Sequence, residues 1–358
     1  MVTGGLLGHY VGGAVARSTL AVALVLVGFY LSVELVREAG DLGGGYGIVE
    51  MLMYLLRTAP ARLYDLFPFA ILIGSMVALG RLAAQQELVA MRACGFHRQR
   101  IIVRVLGVAL LLGLGMMLLG EWVVPKLELQ ARIERERART GQVALTAGQG
   151  LWVRDGPLMI EAGLLAWEEE GRVRFADLRI YEMGDENEIR HLVFADSAHH
   201  SEAGWRLQSV RRLDPQSGRL DPERDVLTLE SRLSPDVFNA LATRPRLMPI
   251  RDIQRIRGYL EANGQDAGAY VQALWRRLLY PVNALAMLFS GIILLFRPGR
   301  QIAPMASVFA GVSVGLMFFI FHRLVLGLAP VLPLPVGITQ LLPAALFGAA
   351  GWWLLRSR

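Results

Sequence analysis

IIVRVLGVALLLGLGMMLLGEWVV, residues 101–124, runs through Pro125 into KLELQARIERERAR, residues 126–139, and the change between them decides the fold. The first stretch matches the roughly 20 residues that a helix needs to cross a hydrocarbon core. The second is too highly charged to stay there. In lipid the backbone must satisfy its own polar groups, so an apolar run of this length reads as a helix and not as an open strand. Five further stretches have the same character, at 14–36, 64–84, 278–296, 303–328 and 336–355. Three spans therefore precede a long polar block and three follow it.

Composition supports this reading. Hydrophobic residues make up 54% of the 358 residues and charged residues 19%, with a mean hydropathy of +0.41. The first apolar run leads into Glu34, Leu35, Val36 and Arg37 with no small-residue cleavage site, so it is expected to remain as an anchor and not to be a secretory signal.

Short loops set orientation, because arginine and lysine are retained on the cytoplasmic side. Between spans two and three lie Arg81, Arg92, Arg98, Arg100 and Arg104 against one acid, Glu87. Arg297 and Arg300 separate spans four and five, and the chain ends in Arg356, Ser357, Arg358. These segments are expected inside, with both termini, and the polar block outside. The one cysteine, Cys94, then sits where thiols stay reduced, and the outer block has none to pair. A calculated pI of about 9.8 raises nucleic acid as a partner, but the basic residues are spread over loops on both sides, so no nucleic acid is expected.

The outer block changes period. Short β-type segments at 151–153, 158–160, 173–181, 189–195, 205–210 and 226–229 alternate with turn chemistry at Asp155-Gly156-Pro157, Gly184-Asp185, Ser217-Gly218 and Asp221-Pro222. That spacing predicts an all-β domain. Behind it, residues 250–263 read as a connector helix capped by Gly264, and Trp275, Arg276 and Arg277 as an interfacial anchor.

Two polar elements invite a function. On the helix prolonging span three, Arg132, Arg135 and Arg139 share one stripe; it is either a solvated face laced with Glu128 and Glu136 or an anion-binding rim, for which the guanidinium fork suits phosphate. In the inside loop QQELVAMRACGFHRQRI, Glu87, Ala90, Met91 and Cys94 fall on one side of a short amphipathic helix ended by Gly95. That helix is either an ordinary interfacial loop or a knob for a cytosolic partner.

Catalytic chemistry is not indicated. Lys126 is the single lysine, so no G-x-x-x-x-G-K-[ST] phosphate loop exists. The histidines form no H-E-x-x-H or Cys/His ligand set, so no metal or other cofactor is expected. There is no G-x-S-x-G nucleophile elbow.

LLGHYVG at 6–12, ELVAMRACGF at 87–96, GEWVVP at 120–125, QGLWVRDG at 149–156, NGQDAGAY at 263–270, LWRRLLYPVNALAM at 274–287 and the terminal WLLRSR closely resemble, in order and over nearly the whole chain, the LptF/LptG (YjgP/YjgQ) family of lipopolysaccharide export permeases. GEWVVP and GQDAGAY look like its LptG branch. The resemblance implies a membrane α-helical protein of six transmembrane helices in a 3+3 arrangement, with an inserted all-β periplasmic jellyroll-like domain. It places transmembrane helices 1–3 and a cytoplasmic coupling helix at about 85–95 in residues 1–139, the jellyroll in 140–248, and the connector with helices 4–6 in 249–358.

The function so implied is the permease subunit of an ATP-driven ABC transporter in the inner membrane of a Gram-negative bacterium. It extracts lipopolysaccharide from the outer leaflet. An LptF partner completes the permease pair, an LptB dimer hydrolyses ATP, LptC adds a transmembrane helix and a jellyroll, and the LptA bridge receives the lipid. The family's lipid contacts align with Arg132 and Arg135, and its coupling acid with Glu87, with Met91, Arg92 and Gly95 in the same helix. At the end of span one a cavity-facing lysine of relatives is replaced by Glu34, which Arg37 is expected to neutralise. The competing reading is a membrane-tethered periplasmic scaffold, or the paralogous LptF.

Overall fold

The computed structural model describes residues 2–43, 45–140, 151–167, 173–184, 188–201, 204–215, 217–219, 224–229, 245–295, 304–328 and 335–356. The turn at Asp221-Pro222 and the loop carrying Arg297 and Arg300, expected inside, lie outside the described residues. The chain divides into two compact units, one of Met1–Val36, Thr58–Val124 and Val271–Arg358, the other of Arg37–Arg57 and Pro125–Tyr270.

Helices α1 (Val2–Ala39), α2 (Ile48–Ala84), α3 (Glu87–Ala93), α4 (Arg98–Trp122) and α5 (Val124–Thr140) precede the strands. After them come α6 (Ile250–Ala262), α7 (Gly268–Leu278), α8 (Tyr280–Leu295), α9 (Pro304–Leu328) and α10 (Val336–Arg356). Among the described residues four helical segments are long and apolar enough to cross a membrane, Gly5–Ala39, Ile48–Ala84, Arg98–Trp122 and Val308–Leu328; Tyr280–Ile292 and Val336–Ala350 are shorter apolar helices. α1 and α2 outrun their apolar stretches, α2 starting at Ile48 and passing through Pro60 and Pro68. Proline is tolerated in such helices because neighbouring groups re-satisfy the freed carbonyls.

The helical unit packs around Ile71, Leu72, Met76, Leu79, Ile101 and Leu288, none more than 1% exposed. Where lipid is as apolar as leucine, helices associate through close backbone approach. A Cβ on Gly74 would lie 2.5 Å from the Thr19 Cα, and one on Gly311 2.6 Å from the Met76 sulfur. Gly74→Val therefore has to push α1 off α2. It is expected to lower stability by about 1 to 3 kcal/mol, read as earlier thermal unfolding in detergent. An unchanged melting curve would contradict this packing.

The expected interfacial role of Arg277 is corrected: it is 5% exposed and donates to the Gly120 carbonyl at 2.8 Å and to Glu121 at 3.0 Å. It thus caps the carbonyl end of α4, where a cation is favourable. Arg276 pairs with Asp65 at 3.5 Å.

In the other unit, β1 (Leu151–Asp155), β2 (Leu158–Trp167), β3 (Val173–Met183), β4 (Ile189–Ser201), β5 (Gly204–Leu213) and β6 (Arg224–Leu229) form one antiparallel sheet in sequence order. This meander is compatible with the expected β domain. Its pairing steps over a row that runs Gly163, Asp177, Asp196, Ser209 and Asp225 across five strands. Asp177 and Ser209 take φ 54 there, left-handed positions in an otherwise extended chain, while the register is the same on either side of the row. Across the row the inward phase changes, so buried Leu207 is followed by buried Val210, three residues on.

α6 buries Ile253, Ile256 and Leu260. Its Tyr259 donates to the Arg154 carbonyl at 2.7 Å, and Asn263 accepts from the Gly156 N–H at 3.3 Å. Gly264, φ +65, ends the helix as its sequence position predicts, with Gln265 N–H bonded to the Leu260 carbonyl at 2.8 Å.

Candidate substrate-contact and coupling sites

α4 hands over to α5 through Val123 alone. Seven residues after Pro125 α5 begins its arginine stripe, and the structure gives every member a carboxylate. Arg132 donates Nε and Nη2 to one oxygen of Glu128, at 3.2 and 2.9 Å, while Glu128 is 2% exposed and its other oxygen has no partner among the described residues. Arg135 donates Nε to Glu38 at 2.7 Å and Nη2 to Asp41 at 2.9 Å. Its guanidinium lies 5.2 Å from the Tyr54 ring centroid and 6.0 Å from that of Tyr46. Arg139 reaches the second oxygen of Asp41 at 3.3 Å.

Burial alone would lower the Arg135 pKa, but the bond to Glu38 and its charge outweigh it and the value rises. Arg135 therefore stays cationic. Tyr46 donates to the same Glu38 oxygen at 3.0 Å, and burial, then that bond, pushes its phenol up to about 12. The stripe is neither a solvated face nor a bare cationic rim. It is an arginine set in a cradle of acids.

Glu34 departs from the expected partner. It is 6% exposed and accepts from Arg62 of α2 at 3.3 Å, with the Arg62 guanidinium 5.0 Å from the Tyr30 ring centroid. Arg37 is exposed. The correction is geometric: on α1 the buried face carries Glu34 and Glu38, four apart, whereas residue 37 lies off it.

α3 also differs from its expected presentation. Leu88 and Met91 are buried in the helical core, so Met91 anchors the helix and does not face outward. Ala90, Arg92, Cys94 and Gly95 are exposed. Gly95 takes φ +80; its N–H bonds the Arg92 carbonyl and that of Phe96 the Met91 carbonyl, both at 3.0 Å. With Phe96 and Met91 both buried in the core, this is a complete Schellman cap. Glu87 is half-buried, with the Tyr10 hydroxyl of α1 beside it. No group of three or more His, Cys, Asp or Glu that could hold a metal occurs among the described residues.

A model of the family described as lipopolysaccharide export system permease LptF/LptG matches residues 9–357. The chain belongs to that family. The lipopolysaccharide export system permease protein LptG of Haemophilus influenzae is 28% identical over 353 residues, covering 98% of each chain. Its namesake from Escherichia coli K12 is 29% identical over 358 residues, again with 98% of each covered. Members of this family are permeases, which agrees with the lack of any nucleotide loop in the sequence.

Sequence reasoning singled out Arg132, Arg135, Glu87 and Glu34 but missed groups they lie against, Glu38 and Asp41 beside Arg135, Tyr10 beside Glu87 and Arg62 beside Glu34. All four lie far along the chain from the groups they hold, apart from any helical spacing rule. Glu87→Arg is expected to disturb ATPase coupling more than Arg104→Glu, since it reverses a partly desolvated charge, and truncating such a pair at an interface costs about 2 to 5 kcal/mol. ATPase assays of the assembled transporter would decide it. Equal, small effects would return α3 to an ordinary interfacial loop.

Proposed function

We propose that this chain is the LptG-type permease subunit of an ATP-driven lipopolysaccharide exporter. Six helices in a 3+3 arrangement pair with those of LptF. Both termini face the cytoplasm, and the β domain, a jellyroll-like module of about 140–248, lies in the periplasm. Two LptB subunits hydrolyse ATP, LptC contributes one helix and a jellyroll, and LptA receives the lipid.

The observation that carries this reading is the placement of Arg132 and Arg135 on α5, which follows the membrane-length α4 after a single residue. Such a pair stands where headgroup phosphates of an outer-leaflet lipid would be met. The Glu34–Arg62 pair adds no net charge. On the other side Glu87, Arg92 and the Gly95 cap present α3 to LptB, with Met91 holding its root.

Cys94 tests the orientation on which all of this rests, being exposed and the single cysteine. A membrane-impermeant maleimide is expected to label inverted vesicles and not intact spheroplasts, with added LptB protecting the thiol. Labelling from the outside would overturn the orientation.

A further inference from the structure

Between α5 and the first turns of α2 lies a pocket of about 170 Å³ walled by Tyr54 and Met53 and edged by Glu50, Arg57, Glu134 and Arg135. Sites for whole drug-sized ligands run from about 300 to 1,000 Å³. This one has room for a headgroup fragment, not for a glycolipid. Its charge is mixed: Arg57 pairs with Glu134, and Arg135 leans on Glu38 and Asp41. Glu50 accepts only a backbone N–H, that of Gly47 at 3.0 Å, and makes no ion pair among the described residues.

A bare phosphate entering here would find guanidinium groups but also two carboxylates of its own sign. A phosphate carrying an ammonium a few bonds away would satisfy both, its oxygens on the forks of Arg57 and Arg135 and its amine on Glu50. We propose that this pocket binds a zwitterionic phosphate ester, a phosphate capped by a primary amine, and that Glu50 selects for the amine. The proposal rests on Arg135 being a headgroup contact. Two sources share the chemistry, an amine-capped phosphate of the exported glycolipid and the ethanolamine headgroup of a membrane phospholipid.

The test uses the assembled transporter in nanodiscs of neutral phosphatidylcholine, titrated with matched probes and read by native mass spectrometry. One pair is phosphatidylethanolamine against phosphatidic acid; the other is lipid A with phosphoethanolamine-capped phosphates against lipid A with bare ones. In at least one pair the amine-bearing member is expected to bind about fivefold more tightly, the scale of one partly exposed ion pair, and Glu50→Gln is expected to remove that preference. The pair that responds names the source. Glu134→Gln releases Arg57 and is expected to tighten the bare-phosphate probe, a gain that misfolding cannot mimic.

Equal or tighter binding of the bare member in both pairs, or a preference that Glu50→Gln leaves untouched, overturns the proposal. Bare lipid A bound through Arg132 and Arg135 and still exported would leave the transport reading standing while this one fails. Binding of phosphatidylethanolamine through Glu50, with no lipid A bound at all, would do the reverse.

Discussion

Arg135→Ala is expected to reduce lipopolysaccharide release to background and to cost about 2 to 5 kcal/mol of stability, because it strands Glu38 in a site that is almost closed to water. Glu38 is 4% exposed and, among the described residues, accepts from one neutral side-chain donor, Tyr46. The two losses have different causes and can be separated. Arg135→Gln combined with Glu38→Gln removes both charges and keeps a hydrogen-bonding pair of similar volume, so the fold is expected to recover while transport stays lost. Charge reversal is a poorer tool than it looks from the sequence. Glutamates at 132 and 135 would face Glu128, Glu38 and Asp41, and repulsion would break the cradle whatever its function. Recovery of transport in the double glutamine variant would mean that Arg135 serves structure alone.

The second large effect concerns Arg62. Its side chain is 10% exposed and that of its partner Glu34 8%, and removing one member of a buried pair costs about 3 to 5 kcal/mol where replacing both can be neutral. Arg62→Ala is therefore expected to give a poorly inserted or rapidly degraded protein, and Arg37→Ala, at an exposed position, to behave as wild type. Glu34→Lys should be as damaging as Arg62→Ala, since it sets two cations against each other. Glu34→Gln with Arg62→Gln is expected to restore expression. Membrane yield and thermal unfolding of the four variants measure this, and a silent Arg62→Ala beside a severe Arg37→Ala would restore the local pairing expected from the sequence.

That contrast shows where the sequence was legible. Hydropathy located the C-terminal ends of the apolar helices to within a few residues, and α4 ended where Pro125 and the charge run required. Turn residues and β-branched runs placed the strands, and Gly264 closed α6. What stayed hidden were pairings between elements. Helical spacing offers Arg37 to Glu34 and Glu128 to Arg132; it had the second right and the first wrong, since nothing local says that Arg62, 28 positions away, faces the same side. The early start of α2 was hidden too, because Glu50, Arg57 and Pro60 interrupt the apolar pattern ahead of residue 64. The row of skipped pairings across the sheet carries no run or spacing that marks it, since Asp177 and Ser209 stand among ordinary strand residues.

Export of lipopolysaccharide past Arg132 and Arg135 is the central claim, and site-specific photo-crosslinking tests it most directly. A photoreactive amino acid at position 132 in the assembled transporter, irradiated in native membranes, is expected to capture lipopolysaccharide, with the yield falling when ATP drives release. A folded, ATPase-competent complex that captures no lipopolysaccharide from that position would contradict it.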